Sequence, residues 1–441
     1  MSQLLVALNG IEVGILEKAR SGAMTFQYLK EWLNRPGARA ISLSLPLTLA
    51  PYKGEKVYNF FDNLLPDSDT LRARMQARFR VASSHPFDLL ASVGRDCIGA
   101  IQLYPNGMVL PDVTQTRARP LTNRDIENLL AGYQDAPLGM AKDHDFRISL
   151  AGAQEKTALL WHQNQWQLPL GSTPTSHIFK LPIGFLEHSN IDLHESSENE
   201  WLCLQILKAF GLPTANADLA RFGNQSILIV ERFDRKWSSD GSWLMRLPQE
   251  DFCQALGISP ALKYESDGGP GLRQCMKILE GSQNASQDRD TFFKTQLVFW
   301  LLAAIDGHAK NFSLFLEPGS AYRMTPLYDV ISAYPLMTQG SLAPARTKMA
   351  MSLKGRNRHY HWARMLPRHF LSTAKAMGFS PSRAAVIMEE TVAKTEGVIE
   401  SVNARLPNGF PAKVADPILT GLRAQAQKVG SDPDHFIHFS G

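Results

Sequence analysis

The spacing of hydrophobic residues changes along the chain, from short runs in the first half to long helical patterns in the second. Leu4–Leu16 holds two apolar segments separated by Asn9-Gly10, which predicts a β-hairpin with a two-residue turn. Ala40–Leu45 alternates apolar and polar residues and predicts a half-buried strand. From about residue 246 the pattern is mostly helical, with helices predicted over 290–305 and 381–403. The expected fold class is therefore α+β.

Capping and turn residues set the limits of the predicted elements. Asp67-Ser68-Asp69 precedes a helical pattern as an N-cap region, and Gly211 ends a helix predicted over 198–210. Pro248–Asp251 is predicted to open another helix, and the Pro-, Gly- and Thr-rich stretch 105–120 is predicted to be a linker. These limits predict a strand-rich mixed N-terminal domain over 1–115, a second domain over 116–245 and a mostly helical domain over 246–441.

A set of polar residues follows the longest apolar run, Leu297–Ile305. Asp306 ends that run, Asn311 follows five residues later, and Asp329 comes 18 residues after Asn311. Phosphoryl transfer needs a base for the attacking hydroxyl and oxygen ligands for Mg²⁺, and protein kinases also place an Asn five residues after their catalytic Asp. The spacing predicts Asp306 as the base and Asn311 and Asp329 as Mg²⁺ ligands. The alternative is that Asp306 and Asn311 only cap a helix and form Asx turns.

Residues upstream supply the other parts of a nucleotide site. Lys180 lies within a predicted strand, where a kinase holds the ATP phosphates, and kinases pair that lysine with a helix carboxylate. Glu200 is favoured over Glu198 for this role. Ser149–Thr157 is a candidate phosphate-covering loop, although its single glycine matches neither G-x-G-x-x-G nor a P-loop. Val230–Phe233 either presents backbone groups to adenine or is an ordinary strand end.

Composition excludes several classes of protein. Apolar residues make up 44% and charged residues 20% of the 441, which argues against wholesale disorder. Leu297–Ile305 is only about half a membrane span, and no signal peptide is visible, so a cytoplasmic protein without a membrane partner is expected. The four cysteines are far apart, which fits a reducing compartment and no metal cluster.

Positive charge is concentrated in one segment of the chain. Val330–Met388 contains no Asp or Glu but nine Lys and Arg, whereas the whole chain has a net charge of only +4. A bias of this size predicts an anionic partner such as nucleic acid, with Arg356 and Arg358 as candidate contacts.

Long segments of the chain, in order, resemble the HipA family, the kinase toxins of bacterial HipA–HipB toxin–antitoxin modules. The matching segments span essentially the whole chain: Phe60–Asp67, Phe146–Lys156, Ile178–Pro182, Glu231–Arg235, Lys263–Gly271, Asp306–Phe312 and Tyr328-Asp329. The resemblance implies a strand-rich N-terminal domain packed on a two-lobed protein-kinase-like body, with 116–245 as the N-lobe and 246–441 as the helical C-lobe.

The resemblance also implies the residues of an ATP site. Asp306 would be the catalytic base, Lys180 the catalytic lysine, and Asn311 and Asp329 the Mg²⁺ ligands. The residues expected around ATP are Ala151, Gly152, Ala153, Gln154, Glu155, Lys156, Lys180, Glu231, Arg232, Phe233, His308, Ala309, Lys310, Asn311, Tyr328, Asp329, Val330 and Ile331. Ser149 would be an autophosphorylation site that silences the kinase, since a phosphoserine carries nearly two negative charges beside the nucleotide.

The family's partners follow from the same resemblance. The protein substrate would be glutamyl-tRNA synthetase, whose phosphorylation inhibits translation and promotes persistence. A HipB-like antitoxin, a helix-turn-helix dimer, would recruit the chain to operator DNA as a corepressor. DNA contacts are expected at Lys375, Ala376, Met377 and Gly378, although Gly378 supplies no charge where other members are more basic.

Two positions depart from ordinary protein kinases. Ala304-Ile305 precede Asp306 where those kinases have His-Arg, and Tyr328-Asp329-Val330 stands in for D-F-G. Both departures favour control through Ser149 over control through an activation loop. Two alternatives remain open at this point: a DNA-bound corepressor with a weak or vestigial kinase site, and a small-molecule phosphotransferase.

Overall fold

A computed structural model describes residues 2–132, 154, 156–187 and 190–430 and divides the chain into two compact units. The first unit comprises the described residues of Met1–Leu181 together with Ala220–Ala261 and Ser313–Tyr322. The second comprises the described residues of Pro182–Leu219, Leu262–Phe312 and Arg323–Gly441. The predicted division at residues 115 and 245 stays a prediction.

The N-terminal part of the first unit is an antiparallel sheet with helices. Its elements are β1 (Ser2–Leu8), β2 (Ile11–Lys18), β3 (Met24–Tyr28), α1 (Lys30–Leu33), β4 (Tyr52–Lys53), α2 (Glu55–Asp62), α3 (Asp69–Phe79), α4 (Pro86–Val93) and β5 (Ile101–Pro105), with strand order β4-β3-β2-β1-β5. The predicted hairpin is confirmed: Asn9 and Gly10 take φ values of 47° and 73°, as a tight turn between β1 and β2 requires.

A second, six-stranded sheet carries the nucleotide-site candidates of the first unit, with strand order β12-β13-β9-β7-β8-β6. The elements of this stretch, including three that belong to the second unit, are β6 (Ala118–Pro120), α5 (Asn123–Ala131), β7 (Lys156–His162), β8 (Gln165–Pro169), β9 (His177–Lys180), β10 (Gly184–Leu186), β11 (Ile191–Leu193), α6 (Ser196–Ala209), β12 (Ala217–Phe222), β13 (Gln225–Glu231), β14 (Arg235–Trp237), β15 (Leu244–Arg246), β16 (Gln249–Asp251) and α7 (Phe252–Leu256). Of these, β10, β11 and α6 lie in the second unit, and the chain passes back to the first unit within β12.

The rest of the chain is mostly helical. Its elements are α8 (Leu272–Leu279), α9 (Ala285–Leu301), β17 (Ser313–Leu316), β18 (Tyr322–Met324), α10 (Tyr334–Thr338), β19 (Lys348–Lys354), β20 (Arg358–His361), α11 (Pro367–Ala376), α12 (Pro381–Asn403) and α13 (Ala412–Gly430). Of these, β17 lies in the first unit, where it pairs antiparallel with β16.

One hydrophobic core joins the two large sheets of the first unit. Phe26 and Phe61 from the N-terminal part and Leu159 and Phe179 from the six-stranded sheet are fully buried members of the same cluster. Burying a large apolar side chain stabilises a fold by about 1.5–3 kcal/mol, so this shared core holds the two sheets together.

Two predicted elements are wrong. Ala40–Leu45 is a turn with a single bridge between Ser42 and Leu45, because the Ser42 and Ser44 hydroxyls both donate to the carbonyl oxygen of Gln254. Pro248–Asp251 does not open a helix. Gln249–Asp251 is strand β16, and helix α7 begins only after Asp251, whose side chain caps it.

Within the part of the chain that the structure describes, every helix is too short or too polar to cross a bilayer.

Candidate active site

Helix α9 delivers Asp306 to a sharply turned loop in the second unit. The helix is apolar and buried over its last five residues, and Ala303 then adopts a φ of 48°, which turns the chain out of the helix. Gly307 follows the aspartate, and a Cβ at that position would lie 2.6 Å from the ring of Phe299. Only glycine therefore fits this close approach.

Asn311 fixes the backbone of Asp306. Its Nδ2 donates to the Asp306 carbonyl oxygen at 2.7 Å and lies 3.5 Å from the Asp329 carbonyl oxygen. A 3-10 turn over Ala309–Asn311 places the amide there, and Asn311 is buried. The three residues predicted from their spacing are thus brought together by one side chain.

The segment around Asp329 is held by helix α6. Asp329 has a φ of 60°, an uncommon conformation for a residue other than glycine, and its backbone N–H donates to Glu200 Oε1 at 3.2 Å. Asn199, the residue before Glu200, accepts from Ser332 N and donates to Ser332 O, both at 2.8 Å. The only signal for Asn199 in the sequence is its place beside Glu200.

The donor set around Asn311 fits Mg²⁺. Because Nδ2 faces two carbonyl groups, the Oδ1 atom of Asn311 is left for a metal ion, and the half-buried Asp329 adds a carboxylate nearby. Hard oxygen ligands of this kind suit Mg²⁺, which often takes only one or two protein ligands beside phosphates and water. Among the described residues, clusters of three or more His, Cys, Asp or Glu with metal-binding geometry are absent.

The remaining candidates of the second unit line the same loop. Burial lowers the pKa of His308, and the nearby Asp306 carboxylate offsets only part of that shift. The imidazole is therefore neutral near pH 7, and its Nε2, 4.0 Å from Asp306 Oδ2, makes no ion pair. The Tyr328 hydroxyl donates to the carbonyl oxygen of Lys310 at 2.9 Å. Ala309, Lys310 and Val330 are buried and Ile331 is half-buried.

Two lysines face each other in the six-stranded sheet of the first unit. Lys156 of β7 is the register partner of Lys180 of β9, so both side chains project from the same face. Lys180 is also opposite Leu228 of β13 and is buried, whereas Lys156 is half-buried. Gln154 Nε2 donates to the Leu181 carbonyl oxygen at 2.5 Å.

The strand end at Glu231–Phe233 divides its side chains between solvent and core. Glu231 is exposed, and Phe233 packs edge-on against Phe315 with ring centroids 5.8 Å apart. Arg232 is buried, and its backbone N–H donates to the Ser176 carbonyl oxygen at 2.9 Å. Any contact of Arg232 with a nucleotide would therefore have to use its backbone.

The Arg232 side chain belongs to a buried network of three arginines and two aspartates. It donates from Nη2 to Asp234 at 2.7 Å and lies 3.3 Å from Asp96. Arg235 and Arg246 also pair with Asp96, at 2.8 and 2.9 Å. Asp96 comes from the N-terminal part of the chain, so the network ties that part to the strand end at 231–235. The sequence offered no signal for it beyond charges in apolar surroundings.

Charge pairing outweighs burial at the centre of this network. Burial alone would raise the pKa of the Asp96 carboxyl, but Arg235, Arg246 and Arg232 lower it far more. Burial beside Arg232 lowers the pKa of Arg235 to about 10, which still leaves the group charged at neutral pH. Asp96 and Arg235 are therefore both ionised near pH 7, and removing one member of the network would leave the others incompletely paired.

Tyr264 is a neighbour of Asp306 that the sequence did not reveal as functional. Its hydroxyl donates to Asp306 Oδ1, and its ring packs edge-on against His308 with centroids 4.9 Å apart. The only sequence signal was its position in the Lys263–Gly271 segment, ahead of three glycines.

Several predicted site residues remain untested by geometry. Ser149, Ala151, Gly152, Ala153 and Glu155 lie outside the described residues. The pairing of Lys180 with Glu200 also stays a prediction, because the two residues belong to different units.

The basic segment forms part of the surface of the second unit. Arg356 and Arg358 are exposed on the β19–β20 hairpin, and Arg358 lies 3.6 Å from Glu265. The hairpin is joined to α11 by a bond from Lys354 N to Thr373 Oγ1 at 2.7 Å. This places the exposed arginines on the element that packs against α11.

The end of α11 offers fewer charged contacts than the sequence implied. Lys375 is exposed, Ala376 is half-buried and the Met377 side chain is buried. Gly378 is exposed, and its carbonyl oxygen accepts a bond from Arg289, a basic residue that the sequence did not single out.

A strand-rich sheet carrying two lysines in one unit, and an Asp–Asn–Asp loop after a long helix in the other, define a protein-kinase-like α+β fold. Residues 4–104 match the HipA N-terminal domain, and residues 148–399 match the HipA-like C-terminal domain. Since the second match alone spans more than half of the chain, this protein belongs to the HipA family.

Relatives of known name support the same family. "Putative kinase Y4mE" of Sinorhizobium fredii is 33% identical over 354 residues, covering 78% of this chain and 79% of that protein. "Serine/threonine-protein kinase toxin HipA" of Shewanella oneidensis is 28% identical over 338 residues, covering 74% of each. The family is thus one of serine/threonine kinase toxins.

A solved structure confirms the predicted fold class. It is described as the Shewanella oneidensis MR-1 toxin–antitoxin system HipA, HipB and its operator DNA complex. The match has a TM-score of 0.82 at 22% identity and covers 98% of this chain and 99% of that chain. At this identity the likeness concerns the fold.

Proposed function

We propose that this protein is a toxin serine/threonine kinase that uses ATP and Mg²⁺. The observation that carries the proposal is the hydrogen bonding of Asn311 Nδ2 to the Asp306 carbonyl oxygen, beside the Asp329 carbonyl oxygen. A base and two metal ligands held close together are the parts that phosphoryl transfer requires. The kinase names of the relatives support the same activity.

The two facing lysines support ATP as the phosphate donor. Because both side chains project from the same face, a polyphosphate bound there would attract both ammonium groups. Lys180 and Lys156 would bind the phosphates, while the 231–233 backbone and Phe233 would border the adenine. Bound at Asn311 and Asp329, Mg²⁺ would neutralise charge on the phosphates.

The side chains of the Asp306 loop have distinct tasks in the transfer step. The Asp306 carboxylate accepts the proton of the acceptor hydroxyl, whose oxygen forms a bond to the γ-phosphorus as the bond to the ADP oxygen breaks. Asn311 keeps the Asp306 backbone in place during this step. Burial lowers the pKa of His308, so its neutral imidazole places no positive charge beside the Asp306 carboxylate.

The proposed acceptor is a serine of glutamyl-tRNA synthetase, whose modification would inhibit translation and promote persistence. Autophosphorylation at Ser149 would silence the kinase by adding nearly two negative charges to the loop that precedes Lys156. Both assignments rest on the family resemblance, and both place the protein in the cytoplasm.

The proposed partners are a HipB-like antitoxin and operator DNA. The exposed arginines of the β19–β20 hairpin and Lys375 support contacts with DNA phosphates, which are largely sequence-independent. The related fold in a HipA, HipB and operator complex supports a corepressor role alongside the kinase.

Labelled ATP and Mg²⁺ test the kinase directly. Wild type should label itself at Ser149 and label purified glutamyl-tRNA synthetase, and Asp306→Ala should do neither. Ser149→Ala should keep labelling the synthetase. A wild type that labels no protein, or an Asp306→Ala variant that labels normally, would overturn the proposal. Labelling of a small molecule alone would favour the small-molecule phosphotransferase.

A further inference from the structure

We propose that Tyr264 is a positioning residue for the catalytic base Asp306, an inference that rests on the proposed kinase function. The Tyr264 hydroxyl donates to Asp306 Oδ1. The Asp306 side chain is 57% exposed, so the packing around it leaves its carboxylate much rotational freedom. A single strong donor on one oxygen fixes the plane of the group and leaves the other oxygen, Oδ2, to receive a proton.

Neighbouring groups leave Oδ2 open. His308 Nε2 is 4.0 Å from Oδ2, beyond hydrogen-bond distance. In the transfer step the acceptor proton passes to Oδ2, and the acceptor oxygen bonds to the γ-phosphorus as the ADP oxygen leaves. Tyr264 keeps its own proton throughout, so its role is to orient the base.

The tyrosine is itself held firmly. Its ring packs edge-on against His308, with an interplanar angle of 86°. Ala309 N donates to the Lys263 carbonyl oxygen at 3.3 Å, and Gly269 N donates to the Tyr264 carbonyl oxygen at 2.9 Å. A Cβ on Gly269 would meet the Leu262 carbonyl oxygen at 1.8 Å, so the loop closes only with glycine there.

The next residue anchors the same loop to a strand. Glu265 accepts from Ser352 N at 2.6 Å and from Ser352 Oγ at 3.0 Å, which fixes the loop to β19. The adjacent Ala350 N donates to the Ile305 carbonyl oxygen at 2.9 Å, so β19 also holds the residue before Asp306. The residues next to Tyr264 and Asp306 are therefore both hydrogen-bonded to β19. A shared support of this kind is what precise orientation of a catalytic base requires.

Tyr264→Phe removes only the hydroxyl. The expected result is a kcat for synthetase phosphorylation that is lower by about tenfold or more, the worth of one hydrogen bond to a charged group. The KM for ATP and the melting temperature should stay at the wild-type values, because the ring and its packing remain. Tyr360→Phe, a half-buried tyrosine of β20, is the matched control and should leave kcat unchanged.

A second variant separates the donor from the ring. Replacement of Tyr264 by 3-fluorotyrosine keeps the hydroxyl and should retain a kcat close to wild type. Wild-type kcat in Tyr264→Phe overturns the inference, and so does a loss accompanied by a higher KM and a lower melting temperature, which marks a structural role. In both cases an active wild type with an inactive Asp306→Ala leaves the kinase proposal standing. An inactive wild type overturns the kinase proposal itself, and the inference with it.

Discussion

Asn311 Nδ2 donates to the carbonyl oxygen of Asp306 at 2.7 Å, so the amide of a proposed metal ligand also fixes the backbone of the proposed base. The two functions use different atoms of one side chain, since Oδ1 is left to face the metal. Substitutions that keep one function and remove the other can therefore be separated by kinetics.

Asn311→Asp keeps an oxygen for Mg²⁺ but loses the donor to Asp306, whereas Asn311→Ala loses both. We expect kcat to fall by about 10²-fold in both variants, because a small misplacement of a catalytic group has that effect. The Mg²⁺ concentration for half-maximal rate should rise only in Asn311→Ala. Steady-state kinetics over a Mg²⁺ series measures both quantities, with Asn357→Ala on the exposed hairpin as control. A wild-type kcat in Asn311→Asp would contradict the bond's role.

The facing lysines predict a selective loss of phosphate binding. Lys180→Met and Lys156→Met should each weaken ATP binding, by about tenfold or more for the buried Lys180. Binding of adenosine, which has no phosphates, should be unchanged. Isothermal titration of both ligands makes the comparison, and the exposed Lys236→Met serves as control. Equal losses for ATP and adenosine would mean that the lysines support the sheet and do not bind phosphate.

The buried network predicts a large stability effect at Asp96. Asp96→Asn leaves three buried guanidinium groups with the single carboxylate of Asp234, and removing one partner of a buried pair typically costs about 3–5 kcal/mol. Urea unfolding followed by tryptophan fluorescence should show an earlier transition for the first unit. Asp112→Asn, on an exposed loop, should unfold like wild type. An unchanged transition in Asp96→Asn would mean that the guanidinium groups find other partners.

Glu250 predicts a pH-dependent stability. Burial raises its pKa to about 8, and the bond from Leu43 N to Oε1 at 2.8 Å offsets only part of that shift. Between about pH 4.3 and pH 8 the Glu250 carboxyl is protonated in the folded state and ionised in the unfolded state. The free energy of unfolding therefore falls as the pH rises through this range. The free energy of unfolding falls by roughly 1.4 kcal/mol per pH unit over this range.

Glu250→Gln removes this titration, because the amide resembles the neutral acid. The variant should match wild type near pH 4 and be more stable than wild type at pH 8, as measured by urea unfolding at each pH. Glu31→Gln, on the exposed surface, controls for the lost charge. A constant difference between Glu250→Gln and wild type across this range would show that Glu250 does not titrate there.

The basic hairpin predicts a salt-sensitive contact with DNA. Charge reversal at Arg356 and Arg358 in the complex with the antitoxin should weaken operator binding and reduce the slope of log K against log salt by about one per lost phosphate contact. Fluorescence anisotropy with operator DNA at several salt concentrations gives this slope. Arg405→Glu, on the exposed end of α12, is the matched control. An unchanged slope would assign these charges to solubility.

Local sequence patterns predicted the elements whose hydrogen bonds are local. The Asn9-Gly10 hairpin and the Ser68 cap of α3, whose side chain accepts from Leu71 N, depend on neighbours in the chain and are found as predicted. Ala40–Leu45 failed because its two serines bond to Gln254, more than 200 residues away. An alternating pattern carries no information about such a distant partner.

In the candidate site, too, residues close in sequence were predicted and residues that depend on distant contacts were missed. The spacing of Asp306, Asn311 and Asp329 indicated residues that the structure brings together, since one loop and one short hairpin join them. Asn199 and Tyr264 were missed as parts of it, because each acts through a contact more than 40 residues along the chain. The Asp96 network was missed for the same reason, with arginine partners 136 to 150 residues distant from Asp96.

The pairing of β16 with β17 has a consequence for synthesis of the protein on the ribosome. Gln249–Asp251 remain without their partner strand until Ser313–Leu316 have been added, and the last residues of the first unit end at Tyr322. A nascent chain that already contains both lysines, Lys156 and Lys180, therefore still lacks a strand of that unit and the whole Asp306–Asp329 site. On the proposed function, phosphoryl transfer therefore requires a product that extends at least to Asp329, nearly three quarters of the 441 residues.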